Sequence, residues 1–313
     1  MHPLLFTSII KTMIWGSESW DITCRHGEMG VIESVPAAGM RFDDFISQDP
    51  PGILGTSVVH AQAKHPDGGY LFPLLVKIID ARDTLSVQVH PNDTYAKSKG
   101  ETDSGKSEIW YVLEPPTDRH LILGLKPGVG KDRFADACRD GTIEDCLNRV
   151  SVEKGDIIDI PAGLVHALTP GARIAEIQQN SDITYRIYDY GRVGPDGIGR
   201  QLHLEDALNV INFDAKAEPI RGLSPASEAC PVITNEHFNI YKLCPADRMT
   251  VTANSKAFHI VTCVSGECRI DYGLGEVILT NERSVFIPAN MGGYTIVPTH
   301  PHTVLLKSAP EKN

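Results

Sequence analysis

Gln88 and His90 stand two positions apart in LSVQVHPND, a run otherwise built on valines. Side chains on a strand alternate between faces, so Ser86, Gln88 and His90 look one way and Val87 and Val89 the other. Three polar groups on one strand face mean either a wet surface or a polar cavity. Lys106 and Glu108 repeat the spacing in GKSEIWYVLE, with Glu108 opening an apolar run. A carboxylate turned inward there is costly unless it is paired or holds a metal. Turned outward, it is a salt-bridged strand end of little consequence. His166 follows Gly155, Pro161 and Gly163 in GDIIDIPAGLVHAL, where the Pro-Ala-Gly turn delivers the histidine to the start of the next strand. Two histidines, a carboxylate and a glutamine on separate strands of one barrel could bind a metal and leave positions open for substrate. The stretch EIQQNSDITYRIYDYGR adds Glu176, Arg186 and Arg192, with Arg186 isolated among β-formers.

These side chains need a scaffold of strands. LFPLLVKIID, TLSVQVH, SEIWYVLE, GDIIDIPAG, RIAEIQQ, ITYRIYDY, HFNIYKL, AFHIVTCVSG, CRIDYG, EVILT, SVFIPA and YTIVP recur between Gly, Pro, Asn and Asp punctuation. So many short strands without a helix between each pair predict a mainly β, antiparallel architecture. Helical spacing appears in KDRFADACRD and TIEDCLNRV, over 131–150, broken by Gly141 with Thr142 as N-cap; RFDDFI and LHLEDALNVI are weaker helical candidates. AKAEPIRGLSPASEAC, residues 215–230, has the composition of a linker between a unit spanning 1–214 and a smaller one spanning 231–313.

Composition narrows the class. The 313 residues carry 40 acidic and 29 basic side chains, a net charge of -11, and no basic stripe, which argues against nucleic acid as a partner. An anionic substrate would need a local basic pocket working against that field. Seven scattered cysteines without a CxxC pair suit free thiols in a reducing compartment. The opening MHPLLFTSIIKTMIWG has no basic start, and no apolar run reaches the roughly 18–20 residues of a membrane span. A soluble cytoplasmic protein without a membrane partner is expected.

The Gly-x5-Pro-x-Gly-x2-His spacing ending at His166 resembles the second metal motif of the cupins, double-sheet jelly rolls with a metal inside the barrel. The fold expected is two cupin-type jelly-roll barrels with a small helical insertion at 131–150. A wider resemblance, to the short bacterial form of type I mannose-6-phosphate isomerase, rests on Trp15-Gly16, ESWDIT from Glu18, FPLLVKIIDARDTLSVQVHPND, GKSEIWYVLE, IPAGLVHAL and EIQQNSDITYRIYDYGR. It implies an isomerase of mannose 6-phosphate and fructose 6-phosphate with one Zn2+ per chain, held by Gln88, His90, Glu108 and His166. It also places Arg186 on the family's catalytic arginine, Lys106 and Glu176 on charged positions lining the site, and Ser86 and Arg192 at the phosphate. The general base stays open among Glu176, Lys106 and a metal-bound water, and the oligomeric state between monomer and homodimer.

The chain departs from that pattern in one loop, and it lacks the large helical domain of the longer eukaryotic forms, of which 131–150 is only a small version. A single serine separates Trp15-Gly16 from Glu18-Ser19-Trp20, where the family carries a longer loop. In the C-terminal unit, SVFIPANMGGYTI repeats the shape of the metal motif, but Gly293 stands where a ligand histidine belongs, so that unit is expected to hold no metal. Two other functions suit the same residues: an oxygen-using cupin built on two histidines and a carboxylate, and a non-catalytic cupin that binds sugar phosphates.

Overall fold

The structure, a computed structural model, describes residues 1–25, 27–61, 72–194, 197–221 and 231–310. It is mainly β, and the described residues fall into two compact units. One comprises Lys11–Glu18 and Ile78–Arg221. Its first sheet runs Leu147–Ser151, His120–Leu125, His166–Ala167, Val87–Val89, Tyr185–Tyr188. The second contains Ile157–Ile160, Glu108–Glu114 and Arg173–Gln179, followed by the Leu74–Ala81 strand. Both sheets are open at their edges, so the jelly roll is a packed pair of sheets and not a closed barrel.

Alternation decides what each face of the first sheet meets. Leu121, Leu123 and Val150 pack with Trp110, Val112, Ile158, Ile160 and Ile174 of the second sheet in one buried core. On the opposite face, Val87, Val89, Ile122, Ala167, Tyr185 and Ile187 pack against Phe134 and Ala137 of the Lys131–Asp140 helix and Ala207 of the Leu204–Val210 helix. The valines beside Gln88 and His90 thus lie under helices, and the polar face of that strand turns toward the second sheet.

The helical insertion is shorter than 131–150. Gly141 ends the helix at Asp140 with φ +74°, Thr142 caps a single 3-10 turn over Ile143–Cys146 without a side-chain bond, and Leu147–Ser151 is a strand. Leu147 and Val150 each bury on one face, which a helix of that length could not do while pairing His120 with Ser151. RFDDFI and LHLEDALNVI do form helices, Phe42–Gln48 and Leu204–Val210. The Asp93–Ser98 helix had no periodicity to announce it; its start is set by Asn92, whose side chain accepts from Tyr95 N.

The other unit comprises Met1–Ile10, Ser19–Lys77 and the chain after Arg221. The N-terminal segments, predicted to lie within 1–214, group with the C-terminal strands: Phe6 packs on Phe42, and Phe42 and Phe72 pack against Phe286 and Phe258 at centroid distances of 5.0–6.0 Å. Within the linker stretch, Ile220 bridges Ile157 and Arg221 binds Asp156, while 222–230 lie outside the described residues. The C-terminal strands form a five-stranded and a four-stranded sheet around a core that includes Leu243, Val261, Leu279, Tyr294 and Leu305.

Inside this unit His259 is buried, with Nδ1 3.1 Å from the Tyr294 hydroxyl. Burial, then the nearby Lys307 charge, push its pKa down from 6.5 to about 3. Between those values the unfolded chain binds a proton that the folded chain refuses, so stability falls as pH drops through that window. The expected loss from this residue is about 3 kcal/mol between pH 7 and pH 4, and His259→Gln should flatten the acid limb of a urea-unfolding series by a comparable amount.

Candidate metal centre

The turn before His166 binds the two halves of the site together. Gly163 sits at φ +89°, where a Cβ would lie 2.9 Å from Val210 O, and its N–H donates to His90 O at 2.9 Å. In the sheet, His166 pairs with Gln88, and Gln88 pairs with Arg186 on its other side. Glu108, at the start of its strand, is opposite Ile160 and Gln178. The two sheets then bring His90 Nε2 to 3.7 Å and His166 Nε2 to 3.4 Å from Glu108 carboxylate oxygens.

The ligand atoms of His90, Glu108 and His166 all lie within 4.8 Å of one another, and all three residues are buried. This is the one such cluster among the described residues; the Pro288–Gly293 turn has none. His90 Nδ1 is 2.8 Å from Ile183 O and His166 Nδ1 is 2.9 Å from Leu164 O. A carbonyl only accepts, so each Nδ1 donates and each Nε2 presents its lone pair to the centre. Gln88 Nε2 approaches His166 Nε2 to 3.2 Å, and a turned amide would present its oxygen from the same position.

Glu108 has no exposed surface, and neither oxygen has a well-formed hydrogen bond; the nearest cation is Lys106 Nζ, 3.0 Å from Oε2. A buried carboxylate so served is costly. Together with two oriented imidazole lone pairs, it has the donor chemistry of a divalent metal site, and the residues fit such an ion. Burial, reinforced by Lys106 and partly opposed by the Leu164 hydrogen bond, pushes the His166 pKa down to about 4, which keeps the ring neutral as a ligand must be. Burial alone would lower the Lys106 pKa as well, but Glu108 and Glu176 outweigh it and hold the ammonium protonated.

The remaining site residues predicted from sequence lie in the same unit. Glu176 is buried and accepts from Trp110 Nε1 at 3.0 Å, while Trp110 meets His166 edge-on at 5.3 Å. Arg186 Nε donates to Ser86 Oγ at 3.3 Å and Nη1 to Gln201 O at 3.1 Å. Arg192 is bound to Asp189, Thr84 and Asp83. Lys106 Nζ also lies 3.3 Å from His90 Nε2. The structure adds Trp110, Asp189, Arg200 and His203, whose Nδ1 accepts from Arg186 N at 3.2 Å. Beside the shortened loop, Gly16 has φ +148° and a Cβ there would fall 1.9 Å from Asp80 O, while Trp15 O accepts from Arg82 N and Asp83 N.

A double-sheet β unit with a buried His2Glu cluster, and with Lys106 and Arg186 as charged neighbours, defines a candidate metalloenzyme site. Residues 11–109 match the family described as phosphomannose isomerase type I, catalytic domain. The chain is 33% identical to the "Probable mannose-6-phosphate isomerase GmuF" of Bacillus subtilis, over 95% of this chain and 97% of that one. It is 28% identical to the mannose-6-phosphate isomerase of Streptococcus mutans over 92% of each. The crystal structure of a Bacillus subtilis mannose 6-phosphate isomerase superposes with a TM-score of 0.82 at 26% identity, covering 98% of this chain and 99% of that one. The chain belongs to the type I mannose-6-phosphate isomerase family.

If the cluster holds a metal, the purified protein should retain about one divalent ion per chain by elemental analysis, and His90→Ala and His166→Ala should each lower that content by 10-fold or more. Stripping the ion should also lower the thermal midpoint of the wild type and leave that of His166→Ala nearly unmoved.

Proposed function

We propose that this chain is a zinc-dependent isomerase that interconverts mannose 6-phosphate and fructose 6-phosphate. The observation that carries the reading is the convergence of two oriented Nε2 lone pairs on a buried carboxylate, beside Lys106 and Arg186, in a chain of this family. His90, His166 and Glu108, with Gln88 as a fourth ligand, would hold Zn2+. Bound there, the metal would supply Lewis acidity that polarises the sugar's carbonyl and hydroxyl oxygens.

The chain's own residues do the rest. Isomerisation moves a proton between C2 and C1 through an enediol, so the site needs a proton acceptor and a stabiliser of negative oxygen. Lys106, held protonated by Glu108 and Glu176, is suited to donate to or balance a developing oxyanion. In this reading Glu176, oriented by the Trp110 hydrogen bond, is the proton acceptor. Arg186, planar and cationic, is anchored at Ser86 and Gln201 and would steady the sugar oxygens. Ser86 and Arg192 mark the side of the site assigned to the phosphate. The enzyme is placed in the cytoplasm, acting on a free sugar phosphate as monomer or homodimer.

The test is a coupled assay of fructose 6-phosphate formation before chelation, after it, and after zinc is restored. Activity should vanish and return. Glu176→Gln should lower kcat by roughly 100-fold to 10,000-fold, and Arg186→Ala by roughly 100-fold or more. Folded, zinc-loaded protein that turns over no mannose 6-phosphate would contradict the reading.

A further inference from the structure

Asp189 lies one residue beyond the strand that carries Arg186, is 5% exposed, and serves two arginines at once. Arg192 Nη2 donates to its Oδ1 at 2.5 Å; Arg200 Nε donates to Oδ2 at 2.8 Å, and Arg200 Nη2 donates to Oδ1. Arg192 and Arg200 stand at the two ends of a hairpin closed by the Val193–Gly199 bridge and by Gly194 N donating to Ile198 O. One buried carboxylate thus clips both ends of that hairpin beside Arg186.

The donors that remain differ between the three arginines. Arg192 spends Nε on Asp189 O at 3.3 Å, and Nη1 on Thr84 O at 2.5 Å and Asp83 Oδ2 at 3.4 Å, so each of its nitrogens already serves a protein acceptor. Arg186 Nη2 and Arg200 Nη1 have no acceptor among the described residues. Arg192 and Arg200 share one buried carboxylate, Asp189, with Arg186 bonded to Gln201 O next to Arg200 in the chain, while the side chain of Asp83 is 58% exposed. In a chain with net charge -11, such a local excess is out of keeping with the surroundings and suited to a dianion.

We propose that Arg200, through Nη1, is a direct contact for the substrate phosphate, next to the Arg186 that would steady the sugar oxygens, and that Asp189 is the positioning residue that fixes Arg200 and Arg192. Arg192 then acts chiefly as the brace between the hairpin and the Asp83–Thr84 backbone. This deepens the isomerase reading and rests on it for the identity of the phosphate's carrier, though not for anion binding itself.

Two measurements separate the claims: steady-state kinetics with mannose 6-phosphate, and a 31P NMR titration of the holoenzyme with inorganic phosphate. Arg200→Gln should raise KM by about 10-fold to 100-fold, with a much smaller change in kcat, and weaken inorganic phosphate by a similar factor. Arg200→Lys should recover part of both, because it restores the charge without the fork. Asp189→Asn should do at least as much harm, and adding Arg200→Gln to it should change little more. Arg200 is partly exposed, so Arg200→Gln carries the test even if Asp189→Asn fails to fold. An Arg200→Gln enzyme with the wild-type KM and phosphate affinity, or one impaired only in kcat, would overturn the proposal while leaving the isomerase reading standing. Wild-type protein inactive on mannose 6-phosphate but losing phosphate affinity on Arg200→Gln would do the reverse.

Discussion

A carboxylate with no exposed surface is the constraint from which the rest of the site follows. Glu108 has Lys106 on one side and two imidazole nitrogens on the other, and without all of them its burial would cost several kcal/mol. The surrounding structure exists to keep those partners in place. Ile183 O and Leu164 O fix the two rings, Gly163 N holds the backbone of His90, and the Trp110 indole orders Glu176 against His166. The ties come from the turn at Gly163 and Leu164, from Ile183 and from the strand of Trp110, so the cluster is preorganised by the packing of two sheets.

The charge pattern has the same logic at a second scale. The chain as a whole carries net negative charge, yet Arg192 and Arg200 share one buried aspartate, with Arg186 bonded to the Gln201 carbonyl beside Arg200, in the unit that holds the cluster. Lys106 adds a fourth cation deeper in, committed to Glu108. A substrate with a doubly charged phosphate and an electron-rich reacting end would meet positive charge at both ends. Specificity then comes from a local field opposed to the global one.

Much of this was legible in the sequence because it is written in short-range periodicity. The alternation Ser86–Val87–Gln88–Val89–His90 assigned two faces correctly, and the Pro161–Gly163 turn announced an inward histidine, since both depend on a few adjacent residues. Gly141 marked the end of its helix for the same reason. What sequence hid depends on register and long-range packing. Trp110 looks like any core aromatic until its indole is seen to face Glu176 across the sheet. Asp189 and Arg200 are ordinary loop charges until the hairpin folds back. The grouping of Phe6, Phe42 and Phe72 with residues some 200 positions later has no local signature. Leu147 and Val150, three apart at the end of the 131–150 helical reading, fit either period, and in the structure they lie on the Leu147–Ser151 strand.

The most direct test of the central claim is anomalous scattering at the zinc edge from crystals of the zinc-loaded protein. The account predicts one strong peak bounded by His90 Nε2, His166 Nε2, the Glu108 carboxylate and the Gln88 amide, and its loss in Glu108→Gln. An active, zinc-loaded enzyme whose peak lies elsewhere, or whose peak survives Glu108→Gln unchanged, would contradict it.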